Sequence, residues 1–575
     1  MAVASVNDSS MVKLEFAQFG GKPDSGEDAV PAMKRAIEAA SRISGTAVTL
    51  VVEPGRYDFY TDFAERSVYY VSNTASEAEN PNPVKTIGIC LKGLNDFVLD
   101  GGGALFLFHG KMTMLVIDDC ERIEICNLKF DYAWPTVVEM KVEKTAANAD
   151  TGTYLDISVH SDSRYEIRDG LLFWVGDGWS FRDGPMQIFD KASNSTWRID
   201  NVFMQALRAE ELNPGRIRLH YELLPDIAEG WILQARDGIR DQVGAFIHRS
   251  RDIRLERIGV HFMHGLGIVG QFSDNLSFNR LDMSPRPETG RTVAAFADFV
   301  HLSGCKGRIF ITNSRFVGAH DDAINVHGTH LRIVGFPSAN QVLVRFMHPQ
   351  TYGFKAFHAG DDIEWIKKRS LVSSGSTRVT DAKLIEPRVM LLTLEANLPE
   401  GIEEGDAVEN ATWTPEVEIT DNYFARIPTR GVLATTRKRT VIARNVFERM
   451  RMSAILVADD AASWYESGRV EDLLIQENGF IECGSGELAV IAIVPENVEI
   501  DPESPVHRNI RIEDNLFLMS QARLLDAKSA HTLRIRNNVL MTVSGFECIT
   551  EVNEGIRLTA CTDVDIFNNS LGAIK

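Results

Sequence analysis

Nowhere in the 575 residues do apolar side chains run for the ~18 positions that a membrane-crossing helix needs, so no membrane association is expected. The opening MAVASVNDSS has neither a basic stretch nor an apolar core, and no signal peptide is read there. Basic residues are the scarcer sign: 60 Lys and Arg against 80 Asp and Glu leave a formal net charge of −20. That balance argues against nucleic acid, whose phosphates demand a basic face. One basic run, TTRKRT (435–440), reads as a solvated or strand-edge stretch. An acidic chain of this kind suits neutral substrates better than polyanions. Cysteine is sparse as well. Cys90, Cys120, Cys126, Cys305, Cys483, Cys548 and Cys561 form no CxxC pair, which predicts buried free thiols and no disulfide frame.

What is present is organised. Val30, Met33, Ile37 and Ala40 recur at helical spacing and predict one amphipathic helix ending near Gly45. The strand AVTLVV and the turn EPGRY follow. Further on, a short β-branched run, a polar residue or Asn, and a large apolar residue recur together. They appear as IEICNLKF (123–130), IFITNSRF (309–316), VEITDNYF (417–424), TVIARNVF (440–447), LLIQENGF (473–480), IRIEDNLF (510–517) and VDIFNNSL (564–571). The steps Asn422 to Asn445 and Asn515 to Asn538 are both 23 residues, and the other intervals are longer. A period in the twenties with a recurrent Asn turn predicts an all-β solenoid, a right-handed parallel β-helix whose first coil is covered by the helix. GLGIVG (265–270) matches a dinucleotide-loop pattern but leads into no helix, and is read as a solenoid turn.

Two stretches lack the Asn turn and alternate like hairpins. They predict small β-barrel domains inserted into the solenoid. The expected division is 1–130 for cap and first coils, 131–245 for one insertion, 246–328 for the central coils, 329–413 for the second insertion, and 414–575 for the last coils.

The central coils carry the chemistry. ADFVHLSG (297–304) and DDAINVHG (321–328) align at an offset of 24 residues, placing Asp298 over Asp322, Val300 over Ile324 and Leu302 over Val326. Strands in a sheet lie ~4.8 Å apart, so Asp298 and Asp322 stack, with Asp321 beside them. Alternation would send the two stacked carboxylates inward, so a turn must follow each of them. Three such groups cannot all stay ionised, because like charges raise at least one pKa. A laddered set of like charges costs stability and points to function. One protonated carboxyl and a second that holds water make an inverting glycosidase pocket. Asp321 is the expected acid, its pKa raised by charged neighbours, with Asp298 and Asp322 as the base pair. A Ca²⁺ cage is the rival reading of the same three residues. Asn325 and His327 fall on the outer wall and are candidate sugar contacts, whereas His264 and His320 are read as structural. Counting onward from Phe424 brings Arg430 to the pocket border. Trp413 is a candidate stacking platform.

The helix–strand–PGRY opening resembles the N-terminal cap of pectate-lyase-like β-helices, and the aspartate spacing looks like that of the polygalacturonases of glycoside hydrolase family 28. The two β-rich insertions, with FDYAWPT (130–136) before the first and FVGAHDDAINVHG (316–328) before the second, resemble glycoside hydrolase family 110 more closely. That resemblance covers almost the whole chain. It implies an inverting exo-α-1,3-galactosidase without metal or cofactor, with its catalytic aspartates at Asp298, Asp321 and Asp322. It also implies a glycan substrate with terminal galactose and an exported, periplasmic or extracellular, bacterial setting. A homodimer built through the barrels stays open. So do a polygalacturonase, which needs cations such as Arg430, Arg437 and Lys438 for its acidic sugar, a Ca²⁺-dependent pectate lyase, and a non-catalytic glycan-binding β-helix.

Overall fold

The computed structural model describes residues 11–148, 152–520, 523–543 and 551–574. It is a right-handed parallel β-helix with two antiparallel β domains inserted in it. In a typical coil three strands follow one another, as in Val300–Ser303, Lys306–Thr312 and Arg315–Val317. The first joins a sheet of 13 strands and the other two join a sheet of 23 among the described residues. No helix among them is long and apolar enough to cross a membrane.

The helix Val30–Ser41 closes the N-terminal end. Pro31 fits its first turn, where no intrahelical N–H bond is lost, and Asp28 accepts from the Val30 N–H at 2.9 Å. It buries Val30, Ala32, Met33, Ala36 and Ala40 on the first coils and so shields a sheet end that would otherwise template aggregation.

The recurrent asparagines form a ladder inside the last coils. Asn422, Asn445, Asn478, Asn515 and Asn538 each donate from Nδ2 to the Oδ1 of the next, ending on Asn569, over 2.9–3.0 Å. Each also donates to a carbonyl of the preceding coil, for example Asn445 to Ile419 at 2.9 Å. These buried amides are thereby satisfied. The left-handed turn falls one residue earlier than the sequence pattern suggests: Asp421, Arg444, Glu477, Asp514, Asn537 and Asn568 have φ between 54° and 61°. Beside the ladder, Phe316, Phe424, Phe447, Phe480 and Phe517 stack with centroids 4.7–5.3 Å apart. The ladder stops at Ser314, whose N–H donates to Asn422, where the carboxylate coils begin.

The first insertion is a seven-stranded antiparallel sheet with a three-stranded sheet against it, its strands running from Val138 to Ala235 around their own core. The second closes into a six-stranded barrel between Leu331 and Asn410. Two local expectations fail. GLGIVG forms the strand Leu266–Gln271, not a turn. Arg437 of TTRKRT is not solvated: its guanidinium is clamped by Glu364 and Glu409 of the barrel. Cys90, Cys120, Cys126, Cys305 and Cys561 are free thiols, three of them buried, and Cys483 is buried as well; Cys548 lies outside the described residues.

Candidate active site

Register builds the site. Val300 pairs with Ile324 and Leu302 with Val326, and Ile324 pairs in turn with Val432. Asp298, Asp322 and Arg430 therefore fall in line, each two residues before its strand partner. The chain bends at Phe299 and Ala323, directly after the two aspartates, so their side chains escape the inward alternation that the strands then adopt. Closest oxygens of Asp298, Asp321 and Asp322 lie within 4.8 Å of one another. With C–O bonds of ~1.2 Å at each end, the carboxyl carbons can be up to about 7 Å apart, which overlaps the span of an inverting pair.

Gly267, inside GLGIVG, shows why this geometry needs a glycine. Its N–H donates to the Asp298 carbonyl at 2.9 Å, and a Cβ there would sit 2.1 Å from the Phe299 carbonyl oxygen. The preceding coil can approach the Asp298 backbone only without a side chain.

The three carboxyls have unequal surroundings. Asp322 accepts from the Arg430 backbone N–H at 3.0 Å and from its Nε at 2.9 Å. Asp321 faces the first inserted domain, with Arg198 at 3.0 Å and Arg240 at 3.8 Å. That domain also holds the loop leading to it: Gln187 donates to the Ala319 carbonyl and Arg198 to that of His320. Burial pushes Asp298 up to about 7, aided by the charge of Asp321. Burial likewise raises Asp322 to about 6, against the pull of Arg430. For Asp321, burial is outweighed by Arg198, Arg240, Arg430 and Arg236, and its carboxyl is held below the usual carboxylate range. The expectation that charged neighbours raise the Asp321 pKa is therefore wrong in sign, because those neighbours are mostly cations from an insertion far away in sequence.

A hydrogen-bond chain is consistent with the raised Asp298 carboxyl. His327 Nδ1 lies 2.5 Å from the Gly328 carbonyl, so that nitrogen must donate. Its Nε2, 3.0 Å from His301 Nε2, then accepts, and His301 must donate there. His301 is buried, which lowers its pKa to about 4 and keeps it neutral, so its Nδ1 carries no proton. Nδ1 lies 2.9 Å from Asp298 Oδ2, and with His301 neutral the proton in that contact belongs to the carboxyl.

The candidate sugar contacts divide. Arg430 is at the cluster. Asn325 and His327 are on the outward side of the wall but buried, at 4% and 3% exposure, and both turn to Glu466. Trp413 is not brought to the cluster. It packs on Phe272 and under Lys306 in a separate cleft of about 640 Å³. Phe272 covers Gly304, at the far end of the strand that begins beside Asp298, roughly 20 Å away at ~3.3 Å per residue. His264 is fully buried between Thr136 and Asp241. Pattern reading missed Arg198, Arg236, Arg240 and Glu466. Local sequence carried no signal for them, since they reach the cluster from outside the central coils. Arg236 Nε, Arg240 Nε, His320 Nε2 and Asn325 Oδ1 are buried without a protein partner, an arrangement that suits hydroxyl groups.

Two groups, the aspartate trio and His301–His327–Glu466, have metal-like spacing. Their donors are committed elsewhere. Guanidinium groups already neutralise Asp321 and Asp322, and both histidines use both ring nitrogens on protein partners. The donor chemistry does not fit a resident cation.

Two family models match, described as GLAA-B beta-barrel domain I over residues 139–233 and domain II over residues 341–408. Alpha-1,3-galactosidase A of Bacteroides thetaiotaomicron is 44% identical over 95% of this chain and 95% of its own length. Alpha-1,3-galactosidase B of the same organism is 34% identical over 97% of this chain and 91% of its own. A solved family 28 exopolygalacturonase from Yersinia enterocolitica shares 10% identity, covering 98% of this chain and 78% of its own, at a TM-score of 0.38, too slight a likeness to bear on function. The near-full-length identity, with both inserted domains matched, places the chain in the α-1,3-galactosidase A/B family, glycoside hydrolase family 110.

Proposed function

We propose that this protein is an exo-acting, inverting α-galactosidase that removes terminal α-1,3-linked galactose from glycans, and that Asp298, Asp321 and Asp322 carry the reaction. The observation that carries this reading is the buried Asp298, its carboxyl raised by burial, within 4.8 Å of Asp321, whose carboxyl is held low by arginines. Asp298 gives its proton to the glycosidic oxygen as the C1–O bond breaks. A water held by Asp321 and Asp322 attacks C1 from the opposite face and loses a proton to that pair, so α-linked galactose leaves as the β anomer. Arg430 keeps Asp322 available as an acceptor. The exo character follows from the strap of residues 71–76. Ser72 N–H donates to Gln271 and Asn73 to Glu466, so the chain crosses the wall that a long polysaccharide would have to follow.

A second assignment rests on Arg198, whose side chain is 50% exposed. If it turns to a sugar hydroxyl, Asp321 loses its nearest counter-charge and takes up the proton as acid. Asp→Asn variants separate the two. The acid's variant keeps turnover of α-galactosyl fluoride, which needs no leaving-group proton, and the base's variant regains turnover with azide.

The activity is tested by incubating the protein with Gal-α-1,3-Gal and with polygalacturonate. Free galactose from the first and no new reducing ends from the second are expected. Arg437, committed to Glu364 and Glu409, is lost to the cationic patch that the second substrate would need. A fucose branch on the penultimate sugar is a further substrate variable for the same assay.

A further inference from the structure

On a chain of net charge −20, one open cleft has the opposite sign. It holds about 480 Å³ where the second inserted barrel meets the solenoid, and Lys92, Arg249 and Lys355 line it against a single carboxylate, Asp118. That carboxylate is already used. It accepts from Tyr69 Oη at 2.9 Å and from Arg249 at 3.0 Å, and His248 Nδ1 lies 3.1 Å away. Among the described residues, Lys92 and Lys355 have no carboxylate within ion-pair distance; Asp381, in the field of Lys355, is held by Lys383 at 3.0 Å. Two exposed ammonium groups are left on one cleft without a counter-charge.

The cleft of about 640 Å³ that contains Trp413 shares Arg249, Phe272 and His358 with it, so the two are joined. There the charges offset each other: Arg251 stands 2.6 Å from Glu121, Lys306 stands 4.0 Å from Asp274, and Asp119 is a further acid. Partly exposed rings run through both, Tyr70 in the first, Trp413 in the second and His358 in each. Together they make a groove with a cationic end and a neutral, aromatic end, within the size range of ligand clefts.

The backbone is strained to line it. Lys92, Asp118, His248, Gln271 and Ser303 pair in register, and the residue after each turns left-handed, with φ between 46° and 64°. Gly93, Asp119 and Gly304 suit that turn. Arg249 and Phe272 do not, because their Cβ crowds the following carbonyl, yet these two line both clefts. Strained positions on two successive rungs are the kind that a binding site retains.

We propose that the joined clefts are a second glycan site, roughly 20 Å from the aspartates at ~3.3 Å per residue, that takes an acidic oligosaccharide. Its sulfate or carboxylate lies at Lys92 and Lys355, and its neutral sugar rings lie along His358 and Trp413. The site goes beyond the hydrolytic reading, and binding reads it without turnover.

Calorimetry on the whole chain compares 6′-sulfolactose, digalacturonate, lactose and sodium sulfate, in wild type and in Lys92→Gln/Lys355→Gln. The two acidic sugars should bind about tenfold more tightly than lactose, lose about that factor in the double variant, and weaken with added NaCl. Turnover of Gal-α-1,3-Gal by the double variant should match wild type. Trp413→Ala should weaken 6′-sulfolactose and leave sodium sulfate unaffected. Acidic sugars no tighter than lactose, or indifferent to both lysines, would overturn the site. So would sodium sulfate bound as tightly as 6′-sulfolactose, since a simple anion site would then account for the cleft.

Discussion

Replacing Asp298 by Asn should stabilise the protein, and by an amount that depends on pH. The wild-type native state must hold a buried carboxyl at about 7 that ordinarily titrates near 3.8. Because the folded value is raised, no penalty exists below the unfolded value. The penalty grows as pH rises through the interval and is complete above the folded value. The full gap of 3.2 units (7 minus 3.8) is worth ~4 kcal/mol at ~1.4 kcal/mol per unit, and about 2 kcal/mol of it is already present at pH 5. Asparagine offers an N–H in place of the carboxyl O–H, so the chain through His301 and His327 keeps its direction. At ~2.1 cal/mol/K per residue, 575 residues give an unfolding entropy of ~1.2 kcal/mol/K. Asp298→Asn should then melt about 3 °C above wild type at pH 8 and about 1–2 °C above it at pH 5, while losing turnover of the disaccharide. Scanning calorimetry at matched scan rates reads this. A variant less stable than wild type at pH 8, or a difference that does not change between pH 5 and 8, would refute the reasoning.

Other outcomes follow from the same geometry. Asn445→Ala leaves the partners of a buried amide unpaired on both sides and should cost ~1–3 kcal/mol per orphaned group, lowering the melting temperature while leaving kcat/KM unaffected. Gly267→Ala should displace the Asp298 backbone and reduce activity by at least tenfold, because the clash is with main chain, which cannot rotate away. Arg430→Gln removes the main opposing charge at Asp322, so its pKa should rise further and the acidic limb of the pH–rate profile should move up; an unmoved limb would exclude Asp322 as a base. Chelation by EDTA should leave activity unchanged, and loss restored by a divalent cation would revive the caged-cation reading.

The coils were legible because their signals are periodic. Alternation, the repeated Asn and the stacked Phe each recur at one solenoid turn, and the same register that pairs Phe316 with Phe424 brings Arg430 to Asp322. Counting along the chain therefore found the carboxylates and their first cation. It could not find groups that arrive from outside the period. Arg198 and Arg240 come from or just after an insertion, and Glu466 comes from a hairpin-like return against Gly328–Thr329. Because those arginines were invisible, the sign of the Asp321 shift came out reversed. Trp413 failed for a related reason. Its place at the end of an insertion gave no indication of which end of the strands it would meet.

The most direct test of the stacked-carboxylate mechanism is proton NMR of the product in the first minutes of Gal-α-1,3-Gal hydrolysis, before mutarotation mixes the anomers. Attack by water from the face opposite a protonated Asp298 predicts β-galactose first, with the α anomer appearing later. If α-galactose appears first, configuration is retained, and the water-holding role given to Asp321 and Asp322 is contradicted.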